Sequence, residues 1–240
     1  MAEAIAISGN APVVAVLMPV YNEAGTIAPA IQAVLRQPCV SEVIITDDAS
    51  TDESWELIQR IQMSDRRIKA TRHDVNRGKG AALRTAIEYA SAPIVIVQDA
   101  DLEYDPNDYS QLVGPIANGK ADVVYGSRFA GSGARRMMYF WHYVGNRLLT
   151  LLANMFTNLN LTDMETGYKV FRREVIDGMT IRAKRFDFEP EFTAKVLKRK
   201  YRIFEVPISF NPRDYSQGKK IKLRDAFEAV WTLLKYRFID

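Results

Sequence analysis

The chain has 240 residues, 48% hydrophobic and 25% charged, which is ordinary for a soluble globular protein with one sizeable α/β core. A single cysteine, Cys39, excludes an internal disulfide framework, and neither His73 nor His142 stands in a nucleophile motif, so we interpret Cys39 as inert and half-buried. The net charge of +3 hides an asymmetry: residues 1–125 carry 10 Lys and Arg against 17 Asp and Glu, and residues 126–240 carry 22 against 12. This indicates metal handling in the first half and anion or anionic-surface binding in the second, although two solvated faces would give the same counts.

Residues 1–12 lack the basic segment and apolar core of a secretory signal, and we expect them to form an extension to a single domain over residues 13–240. No stretch reaches the roughly 18–20 apolar residues of a membrane span. The sequence therefore predicts a cytoplasmic protein, either free or lying on a membrane without crossing it.

The first half alternates apolar runs with amphipathic segments. The apolar runs predict strands over 13–18, 42–46, 68–71, 93–98 and 121–125. A helix is predicted after a cap at Thr26, another over 78–90, and a third behind Ser50 and Glu53, which have the spacing of a capping box. This alternation predicts a mainly parallel sheet flanked by helices, in which ligands bind at the carboxyl ends of the strands.

The second half contains two apolar stripes with helical spacing, which predict amphipathic helices over about 135–161 and 222–238. The first stripe comprises Leu148, Leu151, Leu152, Met155, Phe156 and Leu159. The second comprises Leu223, Phe227, Val230, Trp231, Leu234 and Phe238. Basic and aromatic residues flank both, as in helices that lie on a membrane surface. Helices that simply pack on a sheet have the same pattern, so the two alternatives stay open.

Three carboxylates stand at alternate positions directly after the strand predicted over 93–98, namely Asp99, Asp101 and Glu103. Carboxylates so spaced can converge on a hard cation such as Mg²⁺ or Mn²⁺, which prefers oxygen ligands and keeps sites open for phosphate. Such an ion helps a diphosphate to leave. An acidic turn is also ordinary loop chemistry, so the spacing by itself does not establish a metal site.

Four further polar clusters occupy comparable places. Residues 19–23 and 47–52 follow the first two strands, and Gly126-Ser127-Arg128 follows a later one. The glycine-rich turn over 76–80 opens a helix, whose N-terminus suits an anion. Each cluster alone is typical of a turn or cap. Because the carboxyl ends of parallel strands share one edge of a sheet, five clusters predict one binding site.

Together these segments resemble the family-2 glycosyltransferases of GT-A fold, in particular the polyprenyl-phosphate (dolichol-phosphate) mannose or glucose synthase branch, over about residues 13–238. The resemblance implies that Asp48 contacts the nucleotide base and that Arg128 holds phosphate near the acceptor. It implies that the metal bridging the donor diphosphate is bound by Asp99, Asp101 and Glu103. The remaining residues expected at the donor are Pro19, Tyr21, Glu23, Gly78, Lys79 and Ala100.

The second half matches the same family. Residues 163–171 resemble its D-x-x-[ST]-G-[FY] acceptor-side segment, and residues 205–220 resemble a C-terminal clamp in which Arg213 and Lys219 close on the diphosphate. Asp163 is expected to orient the acceptor or accept its proton, although a turn cap explains it equally well. Glu165 is expected to face solvent. Residues 218–221 depart from the G-x-S-K of many mannosyl-transferring members, which leaves the sugar open.

The predicted activity is inverting, metal-dependent transfer of a hexose from a GDP- or UDP-linked donor to a polyprenyl phosphate, on the cytoplasmic face of a membrane and without nucleic acid. Asp101, Arg128 and Asp163 are the predicted catalytic residues. The acceptor is already anionic, so positioning and charge neutralisation are expected to dominate. The alternatives are a soluble or protein hydroxyl acceptor, which needs a definite base; a nucleotidyltransferase, disfavoured by Tyr21-Asn22-Glu23; and a non-catalytic nucleotide-sugar-binding protein.

Overall fold

A computed structural model describes residues 13–131, 136–137, 139–185, 187–213, 230–236 and 239. The strands are β1 (Val14–Val20), β2 (Val40–Asp47), β3 (Ile68–Arg72), β4 (Ile94–Val97), β5 (Val123–Ser127), β6 (Lys169–Arg172) and β7 (Ile203–Pro207). The helices are α1 (Ile27–Leu35), α2 (Ser54–Gln62), α3 (Lys79–Tyr89), α4 (Tyr109–Ala117), α5 (Phe140–Thr157), α6 (Arg173–Ile176) and α7 (Phe188–Lys198). Residues 230–236 are also helical.

The seven strands form one sheet in the order β3-β2-β1-β4-β6-β5-β7. β1 pairs in parallel with β2 and β4, β2 with β3, and β5 with β7. Only β6 is reversed: it runs antiparallel to β4 and to β5. The predicted mainly parallel α/β sheet flanked by helices is therefore confirmed. Because β6 is reversed, the residues that precede it lie at the same edge as those that follow β4 and β5.

Apolar layers cover both faces of the sheet at its centre, which is why β1 and β4 are continuous apolar runs. Along β1, Val16 and Met18 face one layer, which includes residues of α1, α2 and α4. Ala15 and Leu17 face the other layer, which includes residues of α3 and α7. Two buried faces fix the register of each strand, since a slip of one residue would exchange the layers.

Of the predicted helix caps, Thr26 has the expected position but makes no side-chain capping hydrogen bond, and the capping box is not observed. The Thr26 hydroxyl precedes α1 but donates to Glu23 Oε2 at 2.8 Å. The capping box at Ser50 and Glu53 is wrong, because α2 begins at Ser54 and the Asn22 N–H donates to Ser50 Oγ at 2.9 Å. These side chains serve contacts between the β1–α1 and β2–α2 loops, which local spacing does not reveal.

Helix α5 lies with its polar side towards the protein. Thr150, Ala153 and Thr157 are buried, whereas Leu148, Leu151 and Met155 are 55%, 55% and 70% exposed. The Met164 N–H donates to Thr150 Oγ1 at 3.1 Å, and the Asn154 amide exchanges two hydrogen bonds with the backbone of Leu161. Leu148, Leu151 and Met155 are therefore not packed on the sheet, whereas Leu159 of the same predicted stripe packs against the core. Contact of α5 with a membrane surface stays a prediction.

The second predicted amphipathic helix, over 222–238, is described only at 230–236. There Leu233 and Tyr236 are buried and Trp231 is 68% exposed. Leu223, Phe227 and Phe238 lie outside the described residues. None of the helices in the described ranges is long and apolar enough to cross a membrane.

The buried and exposed aromatic residues give a test of this packing. Phe171 of β6 is fully buried, and its ring centroid lies 5.0 Å from that of Phe192 in α7. Phe171→Ala should lower the free energy of unfolding by about 3–5 kcal/mol in urea denaturation, because it leaves a cavity. The control Phe140→Ala, at a side chain 66% exposed, should change it by about 0.5 kcal/mol or less. Equal losses would mean that the outward face of α5 is buried in solution.

Candidate active site

The polar clusters predicted at the strand ends meet at one edge of the sheet. Their contacts join segments far apart in sequence: the turn after β4 contacts the start of α3, the segment before β6 and residue Arg213 beyond β7. Tyr104 shows the arrangement most simply, because its hydroxyl accepts a hydrogen bond from the Gly167 N–H at 2.8 Å. This contact joins the segments expected at the donor and at the acceptor.

Lys79, at the first position of α3, holds two carboxylates. Its Nζ lies 2.8 Å from Asp99 Oδ1 and 3.0 Å from Glu189 Oε1. Burial alone would lower the pKa of Lys79, but the charges of Asp99 and Glu189 raise it well above its usual value. Lys79 is therefore a permanent cation at the carboxyl end of β4. The sequence indicated Lys79 and Asp99 but not Glu189.

Arg213 binds the acidic turn. Its N–H donates to Glu103 Oε1 at 2.7 Å, its Nε–H to the Asp101 carbonyl at 2.9 Å, and its Nη2 to Glu23 Oε2 at 2.6 Å. Arg213 thus lies at the acidic turn, and its expected closure on the diphosphate stays a prediction. Lys219, its predicted partner in the clamp, lies outside the described residues.

Within the acidic turn, the pKa of the Asp101 carboxyl group is raised. Burial, followed by the charges of Asp99 and Glu103, raises its pKa to about 7, and Arg213 offsets this only in part. Such oxygen donors with uncompensated negative charge suit a hard divalent cation. Among the residues the structure describes, however, no three His, Cys, Asp or Glu side chains are grouped to hold a metal. The metal assignment to Asp99, Asp101 and Glu103 stays a prediction.

Asp48 is turned inward. Its carboxylate accepts hydrogen bonds from the Arg77 N–H at 2.8 Å and the Gly78 N–H at 2.6 Å, and lies 2.7 Å from His73 Nδ1. It is 2% exposed. Asp48 therefore fixes the turn that carries Lys79. Its expected contact with a nucleotide base stays a prediction, as do the roles of half-buried Tyr21 and Pro19 and of buried Ala100.

The glycine-rich turn over 76–80, which was predicted to bind an anion, packs against residues 183–185. The Gly80 N–H donates to the Arg185 carbonyl at 3.1 Å, and the Ala81 N–H to the Lys184 carbonyl at 3.3 Å. A Cβ on Gly78 would lie 2.2 Å from the Lys184 carbonyl oxygen, and Gly78 has a φ of +90°. The glycines thus allow close approach of residues 183–185. The Gly80 and Ala81 amides thus bind protein carbonyls, while the preceding amides bind the Asp48 carboxylate and the Lys79 ammonium binds Asp99 and Glu189.

Arg128 and Asp163 form a bidentate ion pair. Arg128 Nε and Nη2 each lie 2.6 Å from an oxygen of Asp163, and Nη2 also donates to Asn146 Oδ1 of α5 at 3.2 Å. Burial would lower the pKa of Arg128, but Asp163 outweighs it and raises the pKa. With both oxygens of Asp163 engaged, its observed role is to orient Arg128. Proton acceptance by Asp163 would require breaking this pair.

Glu165 was predicted to face solvent, but it is half-buried. Its Oε1 is buried and has no hydrogen-bond partner in the described part of the chain. Burial and the charge of Glu189 raise the pKa of Glu165 to about 7. Lys169, fully buried, donates to the Thr166 carbonyl at 2.6 Å and the Met164 carbonyl at 3.1 Å, and burial lowers its pKa to about 8.

The sequence analysis did not predict Glu165 and Glu189 as site residues, although the sequence around each gives a weak indication. Glu165 stands between Asp163 and Thr166 in the motif assigned to the acceptor side. Glu189 lies in the run Phe188-Glu-Pro-Glu-Phe192, where acidic residues alternate with large buried ones. A carboxylate within so apolar a stretch requires an internal partner, but which partner depends on the tertiary fold.

The glycine turn offers a stability test. Gly78→Ala should lower the free energy of unfolding by about 1–3 kcal/mol in thermal denaturation, because its Cβ clashes with a carbonyl in a left-handed backbone conformation. The matched control is Gly114→Ala in α4, where a Cβ meets nothing within 4 Å. This control should be neutral or stabilising by about 1 kcal/mol. An unchanged midpoint for Gly78→Ala would contradict the observed packing of the turn.

Several glycosyltransferases are similar to this chain over most of its length. Glycosyltransferase AglJ of Haloferax volcanii is 32% identical over 217 residues, 88% of this chain and 68% of that protein. UDP-N-acetylglucosamine–dolichyl-phosphate N-acetylglucosaminyltransferase of Methanococcus voltae is 26% identical over 91% of this chain and 93% of its own. Dolichol-phosphate mannosyltransferase of Pyrococcus furiosus is 26% identical over 93% of this chain and 64% of its own.

Solved structures share the fold. Glucosyl-3-phosphoglycerate synthase from Mycobacterium tuberculosis, in complex with Mn²⁺ and UDP-glucose, superposes with a TM-score of 0.75 at 21% identity, over 95% of this chain and 80% of that one. The family model described as glycosyl transferase family 2 matches residues 15–179, which is more than half of the chain. The chain therefore belongs to glycosyl transferase family 2 and is a glycosyltransferase.

Proposed function

We propose that this enzyme transfers a hexose, with inversion, from a UDP- or GDP-linked donor to a polyprenyl phosphate. The observation that carries the proposal is the opposition of two charged groups at one sheet edge: the acidic turn over 99–103, and the Arg128–Asp163 pair, joined through Tyr104 and Gly167. The names of the Methanococcus and Pyrococcus relatives, which contain dolichyl phosphate and dolichol phosphate, support a lipid phosphate acceptor.

On the donor side, Asp99, Asp101 and Glu103 would hold Mg²⁺ or Mn²⁺, which when bound neutralises charge on the leaving diphosphate. Lys79 and Arg213 add two cations beside the same turn. They bind and orient the anionic donor, and their charge favours departure of the nucleoside diphosphate. Burial, followed by the charges of Asp99 and Glu103, raises the pKa of Asp101, and a cation bound beside it would lower that pKa.

On the acceptor side, Arg128 is the cation that would bind the phosphate. Asp163 and Asn146 fix the orientation of its guanidinium group. A phosphate oxygen forms the new bond to the anomeric carbon while the bond from that carbon to the donor diphosphate breaks. A phosphate needs no proton acceptor at neutral pH, which agrees with a site where Asp163 is fully engaged by Arg128.

Helix α5 would bring the acceptor to this cation. Its outward face exposes Trp141, Leu148 and Met155, with Arg147 beside them, while Asn146 on its inner side contacts Arg128. Apolar and basic side chains on one face are complementary to an anionic phospholipid surface. A lipid phosphate at such a surface would thus reach Arg128 across the width of one helix.

The activity test is a screen of UDP- and GDP-hexoses with Mg²⁺ or Mn²⁺ and a polyprenyl phosphate, following formation of the glycolipid. Asp101→Asn should lower kcat by about 10²-fold or more, because a charge at the diphosphate is lost. The control Asp74→Asn changes an exposed aspartate that follows β3 and should retain activity. Transfer to a soluble hydroxyl compound, with none to polyprenyl phosphate, would contradict the proposed acceptor.

The membrane contact is tested by cosedimentation with phosphatidylglycerol vesicles. The triple variant Trp141→Ser, Leu148→Ser, Met155→Ser should bind at least about tenfold more weakly, since each side chain loses its burial in lipid. The matched control is Met63→Ser, which removes a side chain 82% exposed on another part of the surface. Nucleotide-sugar binding should be the same in all of them. Equal vesicle binding by the triple variant and the wild type would refute docking through α5.

A further inference from the structure

A groove lies between the C-terminal ends of α5 and α7 and the helical residues 230–236. Its cavity measures about 240 Å³. The lining residues are Thr157, Ala194, Leu197, Lys198, Lys200 and Leu233. We call this cavity the distal groove, because it lies away from the ends of α5 and α7 that contact the candidate active site.

The distal groove is separate from the candidate active site. Glu189 of that site lies in the first turn of α7, whereas Lys198 is the last residue of this helix. At 1.5 Å per residue, the two positions are roughly 13 Å apart along the helix axis. Asn146, which contacts Arg128, precedes Thr157 by roughly 16 Å along α5 on the same measure. A ligand in the groove would therefore occupy neither the donor nor the acceptor position.

Two lysines give the groove its charge. In the part of the chain that the structure describes, neither Lys198 nor Lys200 forms an ion pair or a side-chain hydrogen bond. The nearby Lys195 differs from them, because its Nζ lies 2.7 Å from Glu191 Oε1. The dipole of α7 favours a cation at Lys198 but attracts it only weakly at an exposed helix end. Both ammonium groups are thus available to an anion.

The backbone at Lys200 does not favour a lysine. Lys200 directly follows Arg199, the C-cap of α7, and has a φ of +58°. Helices commonly end at this position with glycine, which adopts the left-handed conformation without steric cost. A lysine is retained here although glycine would suit the turn better. This agrees with a use for the Lys200 side chain other than stability of the fold.

The other walls of the groove narrow the ligand. Ala194, Leu197 and Leu233 are apolar and lie beside the two lysines. Ammonium groups next to apolar side chains are complementary to an anion that carries a hydrocarbon part. The volume is below the roughly 300–1,000 Å³ of pockets that enclose a whole small molecule. The ligand would therefore enter only in part, as a phospholipid does when the rest of its chains stay in the bilayer.

The groove adjoins the outward apolar face of α5. Thr157 ends this helix two positions after Met155, which is 70% exposed, and Leu151 one turn earlier is 55% exposed. We have proposed that this face lies on an anionic membrane. Such a surface presents phosphate groups attached to hydrocarbon chains, and each nearby lysine is attracted to it. The membrane would thus supply the kind of ligand that the groove fits.

We infer that the distal groove binds one anionic phospholipid, with its phosphate at Lys198 and Lys200 and the upper part of a chain against Leu197 and Leu233. This inference extends the proposed membrane contact of α5 to a second, specific lipid site. The bound lipid would hold the C-terminal end of α5 at the surface, and so fix how the helix lies on the membrane.

The test is calorimetry with monomeric dihexanoyl phosphatidylglycerol. The double variant Lys198→Gln, Lys200→Gln should bind this lipid about tenfold or more weakly than the wild type, because two charges beside the phosphate are lost. The matched control Arg60→Gln, Arg66→Gln removes two exposed charges from α2 and the segment before β3, and should bind as the wild type does. Equal weakening in both double variants would mean that net charge alone attracts the lipid, which would overturn the inference.

A single variant separates lipid binding from folding. Lys200→Gly should keep or raise the thermal midpoint, because glycine is favoured in the left-handed conformation. It should nevertheless weaken phosphatidylglycerol binding about fivefold, through the loss of one charge. An unchanged lipid affinity in the folded Lys200→Gly protein would contradict the inference.

Two further ligands distinguish the source of the anion. Glycerol 3-phosphate is a soluble phosphate ester, and dihexanoyl phosphatidylcholine is a lipid without net charge. The wild type should bind each of them at least about tenfold more weakly than phosphatidylglycerol, because each lacks one of the two features that the groove contacts. Equal affinity for glycerol 3-phosphate would assign the groove to a soluble phosphate, and equal affinity for phosphatidylcholine would remove the role of the lysines. Either result would overturn the inference.

The monomeric lipid also separates this inference from docking through α5. The triple variant Trp141→Ser, Leu148→Ser, Met155→Ser should bind monomeric phosphatidylglycerol within about twofold of the wild type, since none of these side chains lines the groove. A wild type that binds no phosphatidylglycerol would overturn the inference and leave the proposed glycosyl transfer untouched.

Discussion

Strand β6 runs against β4 and β5, and this reversal sets the geometry of the site. In a purely parallel sheet, residues 163–168 would lie at the opposite edge from the acidic turn. The reversed strand instead brings Asp163, Glu165 and Gly167 to the edge where β4 and β5 end. Gly167 is so close to Asp99 that a Cβ there would lie 2.6 Å from Asp99 Oδ2. The segments proposed to bind the donor and the acceptor therefore lie at the same edge of the sheet.

At this edge of the sheet, ion pairs fix the positions of the charged side chains. Lys79 links Asp99 to Glu189, Arg213 links the acidic turn to Glu23, and Arg128 is held by Asp163. Buried ion pairs are weak evidence for stability, because desolvation offsets most of the attraction. Their concentration at one sheet edge, with the pKa values of Asp101 and Glu165 raised to about 7, is typical of a functional site.

Helix α5 connects this site to the surface. Its inner side is polar and bonded to the protein through Asn146, Thr150 and Asn154, and its outer side is apolar. This is the reverse of an ordinary amphipathic helix on a soluble domain. A helix of this kind is stable in water only because its polar side chains are satisfied internally, which leaves the apolar side available to a partner such as a lipid surface.

The sequence by itself determined five of the seven strands, the helices α1, α2, α3 and α5 and the polar clusters at the strand ends, because these depend on local periodicity and on the rule that parallel strands end at one edge. The strands β6 and β7 were not predicted. It predicted Asp99, Lys79 and Arg128 at this edge for the same reason, and Arg213 through the family resemblance. Only the tertiary structure decided the pairing of Arg128 with Asp163, the burial of Glu165 and Glu189, the packing of Gly78 against Lys184, and the outward face of α5. Each of these depends on contacts between residues distant in sequence, and the partner that satisfies a buried charge or an apolar face is fixed only when the chain has folded.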